Sequence, residues 1–115
     1  MSEHDLALDP VSAAGRLDAE AFRPHLDTTF GVDRDADRIP LRLAEVADGP
    51  SGGGFERFSI LFHGPATRAL PQGTYLFHHD SLGELMLFIV PVIGSNDERI
   101  VYEACFSRPM AAVPR

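Results

Sequence analysis

The chain has 115 residues, 44% of them hydrophobic, a formal net charge of −7 and ten basic residues, every one an arginine. That length fits one domain rather than two, and that apolar fraction excludes a compositionally disordered chain. The acidic balance argues against a nucleic-acid partner, which needs a basic footprint. The single cysteine, Cys105, cannot close an internal disulfide, so a disulfide scaffold is excluded and a reducing, cytoplasmic setting is expected.

Residues 1–15 carry Glu3, Asp5 and Asp9 without the basic and apolar regions of a signal peptide, and read as a flexible arm. A single β domain is expected over 16–106, and a Pro-containing tail over 107–115. Asp18 is placed to N-cap a short helical turn, 19–22, which Pro24 should end. Phe22 and Leu26 are candidates to pin that segment to the core.

Strands follow one another from residue 28. The alternation of apolar and polar residues predicts strands over 28–33, 39–46, 55–63, 74–79, 84–93 and 99–106. In the second, Ile39, Leu41 and Leu43 share a face, but Glu45 then falls on the apolar phase, which predicts a bulge there. Residues 49–54 (GPSGGG) form a flexible loop, Gly64-Pro65 should stop the third strand, and 80–83 and 94–97 are turns. The result is a mainly β domain: six antiparallel strands in a small barrel or sandwich, with one short N-terminal helical segment.

The fifth strand is apolar on both faces, so something must cover each. Its longest apolar run includes a proline and is too short to span a membrane. The predicted core comprises Phe30, Leu41, Leu43, Phe58, Ile60, Phe62, Tyr75, Phe88, Val90, Tyr102 and Phe106. Leu85, Leu87, Ile89 and Ile93 then form a candidate interface for a protein partner or a second copy.

Chemistry-bearing residues are sparse. His63, His78 and Glu84 are candidate ligands, but adjacent strand residues point to opposite faces, so His78 and His79 cannot share one metal. The plainer reading is polar residues at a hairpin mouth, and no metal or other cofactor is expected. The GPSGGG loop lacks the Lys-Ser/Thr ending of a phosphate loop. Ser59, Ser81 and Ser107 lack a nucleophile elbow. Cys105 reads as a packed thiol, and Glu45 and Glu103 as solvated charges.

Residues 22–106 resemble a family of small bacterial domains of unknown function. The matching stretches are FSILFHGP (58–65), LPQGTY (70–75), LGEL (82–85), FIVPV (88–92) and YEACF (102–106). The resemblance implies a genomic setting near phage-tail-like genes and no assigned activity, so it carries over no catalytic residue. Asp27 stands where the family pattern has a glycine, which puts that turn's geometry in question. A lysine-free chain rich in Ala, Gly and Pro also suits a GC-rich bacterial genome.

The expectation is therefore a non-catalytic structural or interaction module, accessory to a phage-tail-like assembly. The alternative is a small-molecule or metal-binding barrel, with enzymatic activity open to it, that uses His63, His78 and Glu84. An oligonucleotide-binding barrel ranks third, against the acidic charge.

Overall fold

A computed structural model describes residues 17–49, 55–92 and 94–109. A single helical turn, α1 (Ala19–Phe22), runs into a 3-10 turn at Arg23–His25. Six strands follow: β1 (Thr29–Arg34), β2 (Asp37–Asp48), β3 (Phe55–Pro65), β4 (Gly73–His79), β5 (Gly83–Val92) and β6 (Arg99–Pro109). They form a closed antiparallel barrel in the order β1-β2-β3-β6-β5-β4. Closure selects the barrel over the sandwich and removes the free sheet edges that invite aggregation.

The helical turn starts where the sequence places it. The Asp18 carboxylate accepts from the Ala21 amide at 2.9 Å, which satisfies one of the orphan donors of the first turn. Arg23 pairs with Glu20 within the turn and ties the segment to the barrel through Asp48 of β2 at 2.6 Å. Phe22 is fully buried against Phe58 and Phe106, so it plugs this end of the barrel. Leu26 does not help: it is 38% exposed, just before the left-handed residue Asp27.

The strands differ from expectation mainly at their ends. β3 runs through Gly64 and Pro65 to pair with Ile100 and Arg99, instead of stopping there. Gly64 is a packing residue, not a strand breaker. A Cβ at this position would sit 2.3 Å from Leu41 Cδ2 and 3.2 Å from the Tyr102 ring. β6 continues through Ser107–Pro109, where a tail was expected, because β3 offers partners back to Phe55. The bulge in β2 is present: the register with β3 shifts between Leu43 and Glu45.

The interior is an apolar core, not a ligand cavity. Phe30, Phe62 and Phe77 meet at its centre, with Phe30–Phe62 edge to face at 5.2 Å and Phe62–Phe77 at 5.1 Å. Leu70 and Tyr102 fill the end opposite α1, and among the described residues no charged side chain is buried.

One assignment from the sequence is inverted. Leu85, Leu87 and Ile89, expected as an interface, lie in the core, while Phe88 is 52% exposed and Val90 is half-buried. The hairpin explains this. Phe77 points into the barrel and pairs with Leu85, and Tyr75 pairs with Leu87, so the β4 phase passes to β5. Tyr75 and Phe106, also expected as core, are only partly buried and pack at its margin. Ile93 lies outside the described residues, as do residues 1–15 and most of the 49–54 loop.

The β4–β5 hairpin closes the barrel through two short ladders. On one side Gly31 and Val32 pair with His78 and Phe77; on the other Val90–Val92 pair with residues 101–103.

Candidate functional site

With the interior packed, any chemistry must sit on the outer face. Among the described residues, two polar grooves and an apolar stripe lie there, with a more apolar groove of about 290 Å³ between β3 and β6 beside Phe58, Cys105 and Phe106.

The first groove, about 320 Å³, is lined by Thr29, Pro40, Arg42, His63, Gly64, Pro65, Glu98 and Arg99. Arg42 and His63 face each other across the β2–β3 ladder. Arg42 donates through one guanidinium nitrogen to Asp27 at 2.7 Å and through another to His63 Nδ1 at 3.0 Å. A guanidinium cannot accept, so Nδ1 must carry a lone pair and the ring proton sits on Nε2. Burial, then the charges of Arg99 and Arg42, hold the imidazole below its ordinary pKa.

The second groove, about 300 Å³, lies between β1, β2 and the β4–β5 turn. His78 points outward here. Its Nε2–H donates to Asp33 at 2.8 Å, and its Nδ1 lies 3.5 Å from Glu84. That hydrogen bond, with Arg38 on the same carboxylate at 3.0 Å, holds Asp33 below the usual carboxylate range.

His79 points the other way, onto the end of the core. Its ring packs on Phe30 at 4.3 Å and meets His25 edge to face at 4.8 Å. Its Nδ1 accepts the Ser81 and Leu82 amides at 3.0 and 3.2 Å, so its proton is on Nε2. That proton faces Thr28 Oγ1 at 2.9 Å, which in turn donates to the His25 carbonyl at 2.6 Å. Burial and the neighbouring His25 lower its pKa.

The three ligands considered from the sequence are therefore divided. His78 and Glu84 share the second groove, and His63 belongs to the first. Among the described residues no three metal-ligating side chains converge. Ser59 pairs with Cys105 across β3–β6, while Ser81 sits in the β4–β5 turn. Cys105 faces out instead of packing, and partial desolvation and Glu103 push its thiol up, away from nucleophilic reactivity. Glu45 and Glu103 lie on either side of Leu61, two strand spacings or about 10 Å apart, and do not pair. Sequence reasoning missed Arg42, Arg99 and Asp33. Drawing the β2–β3 register would have matched Arg42 with His63; nothing local announces Arg99.

The apolar stripe is the outer face of β5: Met86, Val90 and Val92 half-buried, and Phe88 exposed. Leu76 of β4 stands opposite Met86 and extends it.

The profile of a family described as a domain of unknown function, DUF6916, matches residues 17–106. The chain belongs to this family. The matched span runs from the residue before the Asp18 cap into β6, so the family unit includes the helical turn and all six strands. No curated protein matches the chain, and no solved structure does. No helix among the described residues is long and apolar enough to cross a membrane.

Proposed function

We propose that this domain is a non-catalytic protein-interaction module that uses the outer face of β5. The observation that carries this reading is Phe88, a large aromatic ring 52% exposed at the centre of a half-buried aliphatic stripe. Exposed aromatic surface next to other apolar side chains is the usual composition of a contact patch. Outward-facing His78 supports the same reading, because Asp33 already engages it. The phage-tail-like setting implied by the resemblance makes the expected partner another protein of that assembly, in the cytoplasm.

The test is a photo-crosslinking residue at position 88 in the native host, together with light scattering on the purified chain. The reading expects either a discrete adduct or a concentration-dependent dimer, lost in Phe88→Asp with the thermal transition unchanged. A monomer at every concentration, with no adduct at position 88, sinks it.

A further inference from the structure

We propose that the groove between β2, β3 and the start of β6 binds a small organic carboxylate, held by Arg99, His63 and Arg42. This goes beyond the interaction reading and does not depend on it, since the β5 stripe and this groove share no residue.

Three donors border the groove. Arg42 is oriented by its bonds to Asp27 and His63. That same contact fixes the His63 tautomer, leaving Nε2–H as a donor without a partner among the described residues. Arg99 begins β6 opposite Pro65, and its guanidinium has no ion-pair partner among the described residues. A planar carboxylate suits this set: an arginine fork can grip its oxygens, and a neutral N–H can share one of them.

The acidic groups nearby limit the charge of the ligand. Glu98 lines the groove and Asp27 binds Arg42. With two carboxylates against two guanidiniums, a monoanion is accommodated better than a phosphate dianion. Alongside burial, Arg99 and Arg42 both act on His63 to hold its pKa down, as positive charges nearby do. Pro40 and Pro65 supply apolar walls for the carbon skeleton of the ligand. The volume, about 320 Å³, is at the small end of ligand sites, which fits a compact molecule.

The experiment uses the full chain at pH 7.5 and follows the His63 ring proton resonances by NMR. Propionate, inorganic phosphate and sodium chloride are titrated at matched ionic strength. The expected result is a saturable His63 shift with propionate, its midpoint in the millimolar range (about 4 kcal/mol corresponds to 1 mM). Arg99→Gln should raise that midpoint about tenfold without moving the thermal transition. His63→Gln, read through the Arg99 Nε–H resonance, should also weaken binding. The proposal is overturned by no saturable shift, by an equal response to chloride, or by an unchanged midpoint in Arg99→Gln. Tighter binding of phosphate than propionate overturns the ligand class.

Discussion

The Tyr102 hydroxyl accepts a hydrogen bond from the Leu70 amide at 2.8 Å, inside the barrel end where both side chains are buried. This bond joins β6 to the β3–β4 loop, and Tyr75 adds a second tie by donating to the Pro71 carbonyl at 2.6 Å. The start of the LPQGTY stretch, Leu70 and Pro71, is thus held by two tyrosines, one of which lies far along the chain. Tyr102→Phe keeps the ring but leaves the Leu70 N–H buried without an acceptor. The expected loss is about 1–3 kcal/mol, measured by urea denaturation with an unchanged slope. A loss under about 0.5 kcal/mol would mean that water reaches the amide.

Gly64 is read as space for Leu41. Gly64→Ala should therefore cost about 1–3 kcal/mol by overpacking. The cost should shrink when Leu41 is first truncated to Ala, since the colliding Cδ2 is then gone. A double-mutant cycle without coupling would contradict the steric account.

Asp27 adopts φ +68°, a left-handed conformation that glycine takes without strain. Its amide still donates to the Leu43 carbonyl at 2.8 Å, and its carboxylate binds Arg42. The glycine that the resemblance leads one to expect here would have a backbone reason, and aspartate is among the residues that tolerate the conformation best. Asp27→Gly should be neutral or slightly stabilising, because the ion pair it loses is exposed and weak. Asp27→Val should cost more than about 1 kcal/mol. Equal effects of the two substitutions, compared by thermal unfolding, would remove backbone strain as the explanation.

His63 and His79 both have folded pKa values below that of the free imidazole. Above the unfolded pKa, about 6.5, both states are neutral and stability is at its plateau. As pH falls through that value the unfolded chain takes up protons first, so stability declines until the folded imidazoles protonate as well. Protonating His79 also costs the two amide bonds to its Nδ1 and sets it against His25, with Asp80 as a partial offset. Urea midpoints at pH 7.5, 6.5, 5.5 and 4.5 should fall progressively. His79→Asn, which keeps an acceptor but does not titrate, should flatten the decline. An unchanged profile in that variant would assign the effect elsewhere.

Much of the fold is legible because alternation has a phase. Phe58, Ile60 and Phe62 announce their face, and the slip at Glu45 announces the bulge. β5 is apolar on both faces, so its own alternation carries no phase, and only its pairing with β4 could supply it. Tyr75 and Phe88 cannot both face inward in that register, since Tyr75 sits opposite Leu87. The strand ends escape local reading for a related reason: Gly64 reads as a break, yet β6 offers partners that hold it in the sheet. In the groove, the Arg42–His63 pair follows from the hairpin-like neighbourhood of β2 and β3. Arg99 arrives only because β6 docks beside β3, a long-range choice that no local pattern records.

That docking has a kinetic meaning. β3 and β6 share the longest ladder in the barrel, from Phe55 with Pro109 to Pro65 with Arg99, and the whole β4–β5 hairpin lies between them in the chain. The pairs of consecutive strands, β1–β2, β2–β3, β4–β5 and β5–β6, can form as soon as their connections close, but the β3–β6 seam has to wait for a distant strand and meet the entropy of a long loop. Folding should therefore be limited by the arrival of β6, with Phe62 and Tyr102, partners in that seam, reporting on the barrier and Met86 or Phe88 silent to it.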